Sequence, residues 1–433
     1  MSIKSALVGP IKSPRRGLPT LARAVTIAAS FLFTIVVGRA LGAASAGLVL
    51  SCLTLTALAG MIGRRGTDLF ALKHAAGITI GDRFPFAWLT IRTLQGTAVA
   101  AACFFVLTAV VMARTGRGDA VGMLIPLALS VPATGLAIFL SAVLRANARA
   151  AAGTFAEIGL TQIVAVPCVV LLATLGAATT TSLSWVYLGA ALITLVYALL
   201  LTHTYRRDAS EPYEAARFPG ANAEMNHMAS SSVLFYGLTW APLVALWLVG
   251  TDADAGYFAA TARITTVMNL IPTLQLTAAL PTIAAWVKRG DVASASSLMR
   301  RLSMAALALC FPVAAMSAFY PEALMAIFGE SFSPAASSLR VLGPLQATAI
   351  ALGPVSAVMT VVGLERSATR SAMVCLLLAS PLLVVAGQMY GAVGVSLVAG
   401  ITQIVFAIIG SWFLWRQGIT SSVLVPGWSK SAS

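Results

Sequence analysis

The chain has 433 residues, of which 59% are hydrophobic and 10% charged, and a formal net charge of +14. A soluble domain carries about 25% charged residues, so this composition excludes a globule that meets water on all sides and places the chain in a lipid bilayer. In a soluble protein such a basic excess would suggest nucleic acid; distributed between apolar runs it is a topology signal, and no nucleic-acid partner is expected.

A helix needs about 20 apolar residues to cross the hydrocarbon layer. Runs of that kind predict an all-α integral membrane protein of about twelve transmembrane helices, over 20–41, 44–63, 86–113, 120–144, 154–176, 185–203, 228–250, 257–284, 303–320, 339–363, 370–389 and 391–414. The first run follows Arg15 and Arg16 and precedes Ala43-Ala44-Ser45-Ala46, a superficial likeness to a cleaved signal. It is longer than the roughly 7–15 apolar residues of a signal core, so it is expected to stay as the first span. Residues 64–85, with Arg64, Arg65, Asp68, Lys73, Asp82 and Arg83, read as an amphipathic segment lying on the surface, and 321–338, with Pro321, Gly329 and Pro334, as an outer loop with a short helix.

The stretch from Tyr205 to His227 contains Asp208, Glu211, Pro212, Glu214, Pro219 and Gly220. It is a poor helix and a good linker. It divides the chain into a six-helix lobe at 1–204, a linker at 205–227 and a second six-helix lobe with a tail at 228–433. Weak repeats support two related lobes: R-x-x-x-R at Arg145–Arg149 and Arg366–Arg370, Ala46-Gly47 matching Ala255-Gly256, and Pro167 matching Pro381. With an even number of spans in each lobe, a duplication would relate them by an axis along the membrane normal. Most of the 28 basic residues fall in alternate connections, among them Arg64, Arg65, Arg206, Arg207, Lys288, Arg289, Arg366 and Arg370. The positive-inside rule then puts both termini in the cytoplasm, and the expected location is the cell inner membrane.

The cysteines Cys52, Cys103, Cys168, Cys310 and Cys375 lie singly in predicted helices and read as packing residues. No Gly-Lys dipeptide occurs, which removes a phosphate-cradling P-loop, and His74, His203 and His227 form no ligand spacing. No catalytic residue, metal or cofactor is expected, and the chain reads as a non-enzyme.

Charged residues inside spans are costly and mark functional positions. Arg263 sits about seven residues into the eighth span, with Asn269, Pro272 and Gln275 following on a related side. Arg263 either lines a polar path with Asn269 and Gln275, or snorkels to the interface or pairs with a backbone carbonyl. Arg39 ends the first span and either caps helix carbonyls or projects into a cavity. Arg23 and Arg92 lie near helix ends and can snorkel, and Glu157, the acid that comes nearest to a span, can pair with a neighbouring Arg. Positive candidates with almost no carboxylates suit an anionic cargo.

Three passages resemble the polysaccharide-export, or O-antigen and lipid-linked-oligosaccharide, flippases of the multidrug/oligosaccharidyl-lipid/polysaccharide exporter superfamily. They are Arg39-Ala40-Leu41-Gly42 running into Ala46-Gly47-Leu48, the stretch from Ala255 to Ile264 with Pro281 beyond it, and Ile327 to Phe332 with Ala335-Ala336. The resemblance implies two six-helix bundles facing a central cavity, alternating access without ATP hydrolysis, and a polyprenyl-pyrophosphate-linked glycan as cargo. It further implies Arg263 and Arg39 as cationic site residues, and a polysaccharide polymerase or export machinery as partners in the bilayer; Asn269 and Gln275, from the polar lining read in the eighth span, would then solvate the headgroup. The alternatives are a drug or metabolite exporter of the same superfamily, or a membrane glycan polymerase or ligase.

Overall fold

The computed structural model describes residues 14–75, 85–147, 149–206 and 220–420, which are helical almost throughout and contain no strand. The linker residues Asp208, Glu211, Pro212, Glu214 and Pro219, the basic residues Lys4, Lys12, Arg83, Arg207, Arg217 and Lys430, and position 148 inside the first R-x-x-x-R lie outside the described residues.

The helices are α1 (Pro14–Arg64), α2 (Thr67–His74), α3 (Phe86–Arg114), α4 (Leu124–Ala146), α5 (Ala150–Thr154), α6 (Leu160–Thr174), α7 (Thr180–Arg206), α8 (Ala221–Val249), α9 (Asp252–Lys288), α10 (Val292–Phe319), α11 (Pro321–Met325), α12 (Ala335–Ala351), α13 (Val355–Val361) and α14 (Glu365–Arg416). Eight described helices are long and apolar enough to cross a membrane, or nine if the bent pair of α5 with its π-turn and α6 counts as one span. Among them α1, of 51 residues, and α14, of 52, are double length. Each is broken at one glycine, Gly42 with φ 74° and Gly391 with φ 54°. A residue with a Cβ rarely adopts such angles, so the glycines turn the chain between two spans. With α9 added, these segments make up the twelve that the sequence predicts. The expected surface segment after the second span contains α2, and the expected outer loop contains α11 and a 3-10 turn at Glu330–Phe332.

The chain forms two compact units, one of residues 1–41 and 52–233, the other of 42–51 and 234–433. They differ from the halves at 1–204 and 228–433 in two places. The segment Gly42–Ser51 groups with the second unit, and the later boundary falls inside α8, because Met225 in its first turns is fully buried in the first unit's core.

In the first unit α4 is the most enclosed span, with 72% of its apolar window buried. Phe139, Leu140 and Leu144 of α4 pack with Phe70, Phe86 and Leu89. Close crossings replace the hydrophobic drive that lipid cannot supply between helices. A Cβ on Gly96 would collide with the carbonyl of Gly63, and buried hydroxyl pairs join Thr67 to Thr93 at 2.7 Å and Thr161 to Thr194 at 2.8 Å.

In the second unit two helices cross closely at Gly47 and Gly256. A Cβ on Gly47 would collide with the carbonyl of Asp252 and the amide of Gly256, and one on Gly256 with the carbonyl of Ala43. The α9 start is fixed by a capping box between Thr251 and Asp254. Asp254 Oδ1 also accepts from the Ala392 amide at 3.2 Å, beside the break at Gly391.

Candidate functional site

The second unit contains a cavity of about 570 Å³, within the size range of small-molecule sites. Its walls come from α8, α9, α10, α12, α13 and α14. Two apolar clusters bound it. Ala306 and Ile350 belong to one, with Met268, Cys310 and Ala314, and Val355 to the other, with Ile283, Met299 and Leu414. Between α12 and α13 the helix breaks at Gly353, φ 93°, followed by Pro354, and both residues line the cavity. Irregular backbone at membrane depth is tolerated where it faces a cavity rather than lipid.

Among the described residues no charged side chain lines this cavity; its polar groups are amides and hydroxyls. Gln346 Nε2 donates to Asn269 Oδ1 at 3.2 Å, and Asn269 Nδ2 donates to the Thr265 carbonyl at 3.2 Å, so part of the amide donor capacity is consumed by the protein. The hydroxyls of Thr239 and Thr360 donate to the carbonyls of Phe235 and Ser356, each four residues back on its own helix. A hydroxyl whose proton is spent in this way offers lone pairs. Gln275 Oε1 is buried with no hydrogen-bond partner among the described residues. The wall is therefore weighted toward acceptors and suits a ligand that brings donors: hydroxyl, amide or ammonium. Phe235 and Phe406, edge to face at 6.0 Å, add an aromatic surface.

Of the residues singled out in the sequence, Asn269 and Gln275 meet in this cavity. Arg263, earlier on α9, is half-buried and lies over the Trp240 ring at 5.6 Å, with the Tyr236 ring tilted toward Trp240 at 6.1 Å; it is not among the lining residues. Arg39 is exposed and belongs to the first unit. Sequence reasoning passed over Gln346 and Gln403. The signal was present, since an amide in the middle of an apolar span is costly unless partnered, but neither lies on the helix that Arg263 marks, where Asn269 and Gln275 stand out. Among the described residues no group of three His, Cys, Asp or Glu side chains could hold a metal ion.

No protein-family profile and no curated protein matches the chain. Solved structures do. A multidrug resistance MATE family transporter of the MOP superfamily in an outward-facing conformation aligns with TM-score 0.61 and 14% identity over 96% of this chain and 98% of its own. The inward-facing conformation of a MATE family multidrug resistance transporter aligns with TM-score 0.62 and 16% identity over 96% of both chains. A MOP superfamily transporter from Pyrococcus furiosus, described as having a binding pocket of reversed polarity that suggests a different function, aligns with TM-score 0.61 and 15% identity over 96% of this chain and 98% of its own. The chain thus has the fold of these transporters and is an all-α, multi-pass membrane protein.

Proposed function

We propose that this chain is a transporter that moves polyprenyl-pyrophosphate-linked oligosaccharide from the cytoplasmic to the outer leaflet by alternating access, for exopolysaccharide, capsule or O-antigen synthesis. The observation that carries the reading is the uncharged, acceptor-weighted cavity of the second unit, whose amides and hydroxyls complement the hydroxyl donors of a glycan. Alternating access is supported by the similar fold having been captured facing both outward and inward in the MATE transporters. In this reading Asn269 and Gln275 bind the glycan, Arg263 meets the pyrophosphate and Arg39 adds a second positive charge. The polyprenyl tail stays in lipid. The basic connections support a cell inner membrane location with both termini cytoplasmic, and a polysaccharide polymerase or export machinery would take up the product.

The test is the sidedness of lipid-linked sugar in cells with and without the protein, read with a probe confined to the outer leaflet. Accumulation on the cytoplasmic side without the protein, restored on re-expression, is expected; unchanged sidedness in a strain lacking other flippases would refute the reading. Arg263→Ala should impair export without lowering protein level, and unimpaired export would remove Arg263 from the site.

A second reading, export of a drug or metabolite, is favoured by the aromatic pair Phe235 and Phe406 beside an acceptor-weighted wall, which also suits an ammonium group. Dye-efflux assays on the same cells separate the two.

A further inference from the structure

The first unit holds a charged cluster that the cargo cavity does not use. Arg23 Nη1 and Arg145 Nη1 both reach Glu157, at 3.3 and 3.2 Å, and converge on the same oxygen, Oε2. Two guanidinium charges thus face one carboxylate, leaving a net positive charge and unspent donors. Arg145 Nε is buried and has no hydrogen-bond partner among the described residues. The Arg23 side chain is 46% accessible, so the cluster is open on one side.

The backbone is shaped to bring these groups together. Glu157 lies in a π-turn, Phe155–Gly159, a distortion that often marks functional positions in helices. Gly159 sits where a Cβ would collide with Thr26, one turn from Arg23, and Gly153 where a Cβ would come within 2.6 Å of Arg145 Cγ. All three charged residues lie at the same end of their spans: Arg23 early in α1, Arg145 in the last turn of α4, Glu157 just before α6. Basic pockets between helices at this level are where lipid phosphates are recognised.

We propose that Arg23 and Arg145 form a phosphate-binding site in which the Glu157 carboxylate is a resident substitute for the ligand. A phosphate has more acceptor oxygens than a carboxylate and can engage both arginines at once. When it enters, Glu157 gives up Oε2 and the arginines turn to the phosphate. The site stands independently of the glycan reading. The phosphate is either borne by an anionic lipid or free in solution.

The full-length protein, purified in detergent, is exchanged into mixed phosphatidylglycerol and phosphatidylcholine, and the lipid retained after washing is counted. Wild type should retain phosphatidylglycerol several-fold over phosphatidylcholine. Glu157→Gln should raise that preference at least threefold, because the competing carboxylate charge is gone, whereas Arg23→Gln, at an exposed side chain, and Arg145→Gln should abolish it. Displacement of the lipid by millimolar inorganic pyrophosphate would support a site that reads phosphate alone; retention against it would support a site that also needs the lipid. Equal retention of the two lipids by wild type, or an unchanged or lowered preference in Glu157→Gln, would overturn the proposal and leave the cluster as a structural ion pair.

Discussion

A buried acceptor with no donor opposite it costs about 1–3 kcal/mol, and Gln275 Oε1 is such an atom in the cavity wall. The atom has almost no accessible surface, so a ligand in the cavity relieves that cost by supplying a donor once the Gln275 amide turns toward it. Gln275→Leu should therefore separate two quantities that usually move together. The variant should melt at the same temperature or higher, since an unsatisfied oxygen has been removed, while cargo binding weakens by the roughly 1 kcal/mol of one hydrogen bond, about fivefold. Parallel measurement of thermal melting and cargo affinity checks this; a fall in both would assign Gln275 to structure. The same logic explains why Arg263 drew attention in the sequence and Gln346 did not. Charge is visible without coordinates, whereas the pairing of Gln346 with Asn269, 77 positions earlier in the chain, appears only when α12 is laid against α9.

Between elements, the informative contacts are those made without side chains. An Ala at position 47 must displace the backbone of α9 rather than a side chain, so Gly47→Ala should fall at or beyond the upper end of the roughly 1–3 kcal/mol range of overpacking, seen as a lowered melting temperature or loss of folded protein. Gly116→Ala, where nothing lies within 4 Å but φ is +73°, is the control for backbone strain alone. A polar tie joins α2 to α8. Lys73 Nζ donates to Glu224 Oε1 at 2.6 Å and His74 Nε2 lies 3.3 Å from both carboxylate oxygens. The hydrogen bond from Lys73, and after it those with His74, hold the Glu224 carboxyl below the usual carboxylate range. A depressed folded pKa stabilises above the unfolded value, about 4.3 for Glu, and that stability is lost as pH falls through the folded value. Hydrogen-exchange protection in Thr67–His74, taken relative to the intrinsic rate at each pH, should therefore fall below about pH 4.3, and Glu224→Gln should remove that dependence. Elements of this size were largely legible in the sequence. The expected gap between 41 and 44 encloses Gly42, and the one between 389 and 391 falls one residue before Gly391, where the two double-length helices turn. The break at Gly353-Pro354 was not anticipated as a division of the tenth span, because a Gly-Pro pair inside an apolar run reads equally as a kink within one helix.

For the whole molecule, hydropathy sufficed to count the spans because bilayer thickness sets their length, whereas the grouping of spans into units depends on which residues are small enough to allow contact. That is why Gly42–Ser51 leaves the half of the sequence in which it lies and joins the second unit. The cavity was half legible: Asn269 and Gln275 share one helix and can be found by spacing, while the residues opposite them come from helices whose arrangement no local pattern records. The crossing of Gly47 with Gly256 joins two positions that the internal repeats had matched as equivalents, Ala46-Gly47 and Ala255-Gly256. Where a large residue meets a small one, a change on one side can be answered by the reverse change on the other. Here both partners already carry the smallest side chain there is, so neither can shrink to make room for the other. Suppressors of an alanine at either position can arise only by moving the helices themselves, and the pair should behave under mutation as a single locked character rather than as two tunable sites.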